Sequence, residues 1–354
     1  MEFIREQARA DEVLMRAYES KQTRAFYLDL EADNFHHYNE ILCTVQVCVN
    51  GNFYLLDAIN LDLSGTFCDI LRERIVWLHG CDYDLYLLNR FLGVRPLKLH
   101  DTQIAARLSG FRKFGYAPLV DQICGQVLPK DSQRADWTKR PLPQRMIDYA
   151  ENDVRYLPQI SDLLLLRLEK LKRVEWFEES CAALVRSVSP YKQVDTEDQW
   201  RVPSSGNLSP SELRYLKALY FWRDEQAQAL DRPTFKVLNN QQLIKLSKEL
   251  GENPDVTLPR FIKDKRRESL LAVIAQATDQ LEESWPQKLP RVRHKKIKVD
   301  DEALSAIMAK RDMAAKKLNL DNSLIASRKV LEAIVRDPKS AENLLNWQRA
   351  ILEL

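Results

Sequence analysis

The sequence predicts an α/β protein: a mixed β-sheet, built as an antiparallel meander extended by parallel strands and flanked by helices, followed by two small all-α modules. Three observations lead there. Asn50-Gly51 joins two alternating apolar runs, a dipeptide suited to a turn that needs positive φ at both central residues. Short apolar runs then alternate with helical ones from about residue 65. From about residue 143 the chain turns helical, and further on it weakly repeats itself.

In order, the N-terminal stretch "MEFIREQARADEVLMRAYES" reads as a charged helix, and "RAFYLDLEA" (24–32) as a strand. "ILCTVQVCVNGNFYLLDA" (41–58) supplies the next two strands across the Asn-Gly turn. A helix near 65–73 precedes the short strand "RIVWLHG" (74–80), and "DYDLYLLNRFLG" (82–93) is a helix closed by Gly93. A strand near "LKLHDT" and further helices continue the alternation, which argues for parallel additions to the sheet. In the helical stretch from 143, Pro143 belongs in a first turn and Pro158 predicts a kink. The Ser- and Pro-rich segment around 187–210 is a linker. Beyond it, Arg-Asp-x-x-Ala-x-x-Leu occurs at Arg223, Asp224, Ala227, Leu230 and again at Arg311, Asp312, Ala315, Leu318. Two helical modules are expected, joined by "QKLPRVRHKKIKV" (287–299), which holds six Lys/Arg and no acid. That run reads either as a solvated tether or as a phosphate-contacting segment.

With 354 residues, 45% of them hydrophobic, the chain is long enough for two or three domains with real cores. No apolar run approaches the roughly 18 residues that span a bilayer, and the charged N-terminus is unlike a signal peptide. A cytoplasmic location and no membrane association are the expectations. None of the spacings among the six cysteines is a zinc pattern, so they read as reduced, small, buried residues. The net charge of +2 hides an asymmetry: residues 1–200 carry −5 and residues 201–354 carry +7. This fits a polyanion held by one part and processed by the other, or simple drift between surfaces.

The chemistry starts in "YLDLEADNF". Residues two apart on a strand share a face, so Asp29 and Glu31 leave the sheet together while Phe26, Leu28 and Leu30 point the other way. Adjacent carboxylates repel unless a divalent cation sits between them, and hard oxygen ligands suit Mg²⁺ or Mn²⁺. A merely wet strand end is the alternative. Asp82 and Asp84 open a helix after a short apolar strand, with Asp82 expected as its cap and Asp84 free to face the strand acids. In "DYAENDVRYL", Tyr149 and Asp153 are four apart and stack on one helical face with Met146, Ala150 and Leu157. The phenol is placed to orient or deprotonate a water beside a cation bound by Asp153. Pairing of Asp153 with an arginine, and Tyr149 as a core aromatic, are the plainer readings.

Together these motifs resemble the DEDDy 3′–5′ exonucleases of the ribonuclease H-like fold, and within them the ribonuclease D family. "LDLEAD", "VWLHGCDYDLYLL", "LHDTQIAARLSG", "GYAPLVDQICGQVLPK", "RADWTKRPL" and "YAENDVRYL" occur in the family's order. The helical modules resemble HRDC repeats, the second more faintly than the first. The resemblance implies a nuclease domain over 1–190, a linker over 191–208, HRDC modules over 209–282 and 300–354, and a basic linker over 283–299. It further implies that Asp29, Glu31, Asp84 and Asp153 hold two divalent metal ions and that Tyr149 positions the attacking water. Leu30 departs from the Thr that many relatives carry between the two acids, but it faces away from them.

Weaker substrate-binding candidates are His79, Lys113, Trp137, Arg140, Lys295 and Lys296. For His79 a packing or hydrogen-bonding role is as good a reading, and Trp137 and Arg140 serve equally as structural anchors. His36 and His37, lacking a third ligand, read as solvent-facing. The expected activity is metal-dependent 3′–5′ exoribonuclease action releasing nucleoside 5′-monophosphates. The expected partner is RNA with a single-stranded 3′ end, such as a tRNA precursor, with no obligate protein partner. The rivals are a 3′–5′ DNA exonuclease and a non-catalytic nucleic-acid-binding protein.

Overall fold

A computed structural model describes every residue except 130–134, 189–196, 254 and 291–298. The chain divides into two units, one of residues 1–32, 42–191 and 295–354, the other of residues 33–41 and 192–294.

In the first unit β1 (Glu2–Ile4) and α1 (Gln7–Glu19) lead into β2 (Phe26–Asp33), β3 (Ile41–Val49) and β4 (Asn52–Leu56). Then come α2 (Thr66–Glu73), β5 (Ile75–Leu78), α3 (Asp82–Leu92) and β6 (Lys98–Asp101). Among the described residues these strands form one six-stranded sheet in the order β1-β4-β3-β2-β5-β6. β3 and β4 pair antiparallel around the turn at Asn50 (φ 49°) and Gly51 (φ 76°), the positive pair the Asn-Gly dipeptide calls for. β5 and β6 add in parallel to β2, with Tyr27 opposite Trp77 and Leu78 opposite Asp101. The mixed sheet is therefore as expected. The sequence did not yield β1, whose three residues pair in parallel with β4 and are too few to show a period.

Helices α4 (Thr102–Leu108), α5 (Tyr116–Cys124), α6 (Gln144–Arg155), α7 (Leu157–Leu171) and α8 (Val174–Ser187) complete the nuclease part. Pro158 separates two helices rather than kinking one. It lies in the first turn of α7, where its missing N–H costs nothing, while α6 ends at Arg155. Val45, Val47 and Val49 of β3 join Phe26, Leu28 and Leu30 of β2 in the core on one face of the sheet. On the other face Cys48 packs with Tyr27 of β2, Val154 of α6 and Leu157 of α7.

The second unit holds α9 (Pro210–Ala229), α10 (Thr234–Val237), α11 (Asn240–Glu252) and α12 (Asp264–Thr278) around their own core, which includes Leu213, Leu216, Trp222, Leu243 and Leu270. Capping boxes start α9 (Ser209 with Glu212) and α11 (Asn239 with Gln242). The C-terminal α13 (Asp301–Leu318), α14 (Asn322–Ile325), α15 (Arg328–Arg336) and α16 (Asn346–Leu352) repeat part of this pattern. Buried Arg223 donates to the Leu238 carbonyl at 3.1 Å, and buried Arg311 to that of Ala326 at 3.0 Å, each fifteen residues on. The repeated arginine thus caps the short middle helix in both modules. The second module does not stand alone. Leu304, Ala315, Ile325, Leu331 and Trp347 share one core with Trp77, Leu119, Ile160 and Phe177 of the nuclease. Trp347 stacks on Trp176 at 5.0 Å, and buried Arg173 bridges the carbonyls of Leu108 and Leu318, both at 2.6 Å.

Candidate active site

Asp29 and Glu31 lie on the β2 face that α6 covers, and Asp153 descends from α6 to meet them. One carboxylate oxygen from each of the three falls within 4.8 Å of the other two. Asp84 closes the group from the first turn of α3. It is buried, and its Oδ1 accepts the backbone N–H of Leu30 at 3.2 Å, between the two strand acids. The Tyr149 hydroxyl lies one helical turn from the Asp153 carboxylate, near enough to hold that acid's pKa down. The acids come from the C-terminal half of β2 and from just beyond the C-terminal end of parallel β5, the edge where open α/β sheets place their sites.

Four acids so close together raise one another's pKa values. Burial pushes Asp29 and Asp84 well above the usual carboxylate range, with Asp153 adding to the first and Asp29 to the second. Burial, then the charges of Asp29, Asp153 and Asp84, push Glu31 up to about 10. Burial raises Asp153 to about 7 against the lowering effect of the Tyr149 hydroxyl. Burial, followed by the charge of Asp153, also raises the Tyr149 phenol. Carboxylates that ionise this reluctantly, with their oxygens converging, are a donor set that fits a hard divalent cation.

What aims Asp84 is a residue to which the sequence assigns no role. Asp101, buried at the end of β6, accepts from the N–H groups of Gly80 (3.0 Å) and Cys81 (3.1 Å), so the loop entering α3 is tied to the neighbouring strand. It also caps α4 through Gln103 and Ile104. Asp82 is not the cap of α3. The helix begins with it, the cap position is Cys81 without a side-chain bond, and Asp82 stays exposed.

Trp137 and Arg140 both make anchoring contacts. Trp137 is 1% exposed, so no base can stack on it, and its ring lies 6.1 Å from that of Tyr149. Arg140 spends its donors on the fully buried Asp57 (2.9 and 2.5 Å) and on the carbonyls of Cys43 (3.0 Å), Trp137 (2.7 Å) and Lys139 (2.8 Å). This clamp pins the loop before α6 to β3 and to the end of β4. His79 bonds Thr102 Oγ1 at 2.9 Å and packs against Tyr116, whose hydroxyl donates to the Asn152 carbonyl of α6 at 2.8 Å. Lys113 is exposed on the loop before α5. Lys295 and Lys296 lie outside the described residues.

In the second unit, buried Asp33 accepts from the N–H groups of His36 (3.0 Å) and His37 (3.1 Å) and from the His36 ring, so it closes a turn. His37 pairs with Asp231 at 2.6 Å. Each imidazole pairs with an acid and keeps about a third of its side chain exposed.

Residues 1–169 match the family described as 3′-5′ exonuclease, and residues 212–256 match the HRDC domain. The fold and site therefore define a 3′–5′ exonuclease carrying an HRDC module. The chain is 31% identical to ribonuclease D of Pseudomonas paraeruginosa over 321 residues, covering 86% of this chain and 84% of that one. With ribonuclease D of Xanthomonas oryzae the identity is 29% over 337 residues, covering 92% and 90%. The crystal structure of Escherichia coli RNase D superposes with a TM-score of 0.69 over 97% of this chain and 91% of that one, at 24% identity, a likeness of fold. The chain belongs to the ribonuclease D family of 3′–5′ exoribonucleases.

Proposed function

We propose that this chain trims structured RNA, tRNA precursors among them, one nucleotide at a time from a single-stranded 3′ end, with two divalent cations at the acid cluster. The observation that carries this reading is the convergence of Asp29, Glu31 and Asp153 within 4.8 Å, with Asp84 docked on Leu30 between the strand acids. Two bound Mg²⁺ or Mn²⁺ ions would supply Lewis acidity, activating a water and stabilising the leaving oxygen of an in-line displacement. The water attacks phosphorus, the bond to the 3′-oxygen of the penultimate nucleotide breaks, and that oxygen takes up a proton. The products are a nucleoside 5′-monophosphate and an RNA shortened by one residue, again with a 3′-hydroxyl.

The protein's own part is to hold ligands and orient. Asp29, Glu31, Asp84 and Asp153 are the four ligands. With its pKa raised, the Tyr149 phenol keeps its proton at neutral pH, so it orients the water by hydrogen bonding rather than deprotonating it. Arg140 and Trp137 hold the wall beside Tyr149. The related exoribonuclease from Escherichia coli is involved in structured RNA processing, which supports an RNA substrate of that kind here.

The test is to incubate 3′-extended tRNA and matched single-stranded DNA with Mg²⁺, Mn²⁺ or EDTA, beside Asp153→Ala. Metal-dependent shortening of the RNA by wild type alone is expected. Faster trimming of the DNA would move the substrate to DNA, and no shortening of either polymer would overturn the reading.

A further inference from the structure

Gln46 sits in the middle of β3, fully buried, and neither its amide nitrogen nor its amide oxygen has a hydrogen-bond partner among the described residues. Two residues before it, the fully buried Thr44 hydroxyl is likewise unpartnered. A primary amide with both ends unmet in an interior costs about 1–3 kcal/mol per group, so a fold that keeps one there has a use for it.

Alternation fixes which way these side chains point. Val45, Val47 and Val49 enter the core with Phe26, Leu28 and Leu30, while Cys48 packs on the opposite face against Tyr27, Val154 and Leu157. Gln46 and Thr44 are in phase with Cys48, and Asp29 and Glu31 are in phase with Tyr27. β2 and β3 are neighbours in the sheet. The unmet amide and the strand acids therefore share one face, on adjacent strands, beneath the helix that brings Tyr149 and Asp153. Asp29 and Glu31 in turn receive no side-chain donor among the described residues. Unmet side-chain donors and carboxylates without a side-chain donor thus share one face of neighbouring strands.

We propose that Gln46 is a positioning residue of the cation site: when the ion binds, its amide N–H groups, unmet in the metal-free chain, take up the β2 carboxylates and hold them in the orientation that binds metal, with the Thr44 hydroxyl assisting. This rests on the metal-dependent reading above. Carboxylate ligands that point at a cation with one oxygen commonly have the other held by a hydrogen-bond donor, and loss of such a partner typically lowers metal affinity by 10- to 100-fold.

The reading separates from a purely structural role for the amide. Gln46→Met keeps length and volume while deleting both polar atoms. If the amide serves the metal, the metal-free variant is at least as stable as wild type, because two unmet polar atoms have left the interior, yet it binds the ion less well. The experiment follows Mn²⁺ binding to the full-length chain by electron paramagnetic resonance, without RNA, for wild type, Gln46→Met, Thr44→Val and Asp153→Ala, with melting curves in EDTA. Expected is a roughly tenfold or larger rise in the Mn²⁺ dissociation constant for Gln46→Met, a smaller one for Thr44→Val, and no drop in metal-free melting temperature. Unchanged Mn²⁺ affinity in Gln46→Met beside normal wild-type binding would overturn the positioning role alone. A Gln46→Met chain that fails to fold would overturn it too, by showing that the amide is needed without metal. Absence of Mn²⁺ binding in wild type would remove the metal site itself.

Discussion

Burial and the charges of the surrounding acids push up both Glu31 and the Tyr149 phenol. The phenol is held beside Asp153 and Trp137, so Tyr149→Phe should leave substrate and Mn²⁺ binding intact while lowering kcat by about 10²-fold through loss of the hydroxyl that orients the water. Steady-state kinetics at saturating RNA, with a parallel Mn²⁺ titration, checks this. The raised pKa values also set a pH dependence. An acid whose pKa rises on folding binds more protons folded than unfolded, so its stabilising effect is lost as pH climbs from the unfolded value through the folded one. For the metal-free chain that decline begins at about 4, where unfolded carboxyls ionise. It continues through about 7 for Asp153 and towards about 10 for Glu31. In EDTA the melting temperature should be lower at pH 8 than at pH 5.5, with a shallower slope in Glu31→Gln. Mg²⁺ should return the loss at pH 8, since an ion at a hundred times its Kd adds about 2.7 kcal/mol. A melting temperature in EDTA independent of pH would contradict the assignment.

Among the elements, the loop before α6 matters most to the site, because its buried Asp57–Arg140 pair ties it to two strands at once. The Asp57 carboxyl is pushed up by burial and pulled down further by hydrogen bonds from Arg140 and Asn60, so it stays ionised. Removing one partner leaves a buried charge unpaired. Arg140→Ala should therefore cost on the order of 3–5 kcal/mol in urea unfolding. Its kcat should fall as well, through the wall at Tyr149, while Asp57→Leu with Arg140→Met recovers most of the stability. Equal stability of Arg140→Ala and wild type would refute the clamp. The sequence leaves Arg140 divided between anchor and substrate contact, because its acid lies 83 residues away. The same distance problem hides Asp101, whose partners lie about 20 residues back across a parallel strand pair, and Gln46. By contrast Tyr149 and Asp153 are legible, because their relation is local, four positions on one helix.

At the scale of the whole molecule, the two helical modules differ in what they need. The first module packs around its own core, to which Trp200, Val202 and Leu208 contribute from the segment before it, so a fragment spanning 198–290 should melt cooperatively by itself. The C-terminal module completes a core with the nuclease, and ending the chain at residue 290 would strip Leu304, Ile325, Leu331 and Trp347 from Trp77 and Phe177. Each large apolar side chain so exposed costs roughly 1.5–3 kcal/mol, enough together to consume most of a domain's stability. The truncated chain should lose its near-ultraviolet circular dichroism or aggregate, and a truncation that melts like wild type would show the shared core to be dispensable. The basic run over 287–299 carries a separate expectation. Neutralising Lys295, Lys296 and Lys298 should reduce the salt slope of RNA binding by about 2, at roughly 0.7 per phosphate contact on a single strand, with kcat unchanged. An unchanged slope would leave the run as a tether.

By itself the sequence determined the elements with local causes. The Asn50-Gly51 turn follows from backbone sterics, the Asp29–Glu31 pair from the two-residue strand period, the Tyr149–Asp153 pair from the helical turn, and the two modules from a repeated arginine. The order of family motifs then joined these into one site. Only the tertiary structure decided that Asp84 docks on the Leu30 amide, that Arg140 braces the loop before α6 against Asp57, and that the last module belongs to the nuclease core. Each depends on desolvation and pairing between residues far apart in the chain, and a periodicity read along the chain carries no information about which distant group supplies a buried charge with its partner.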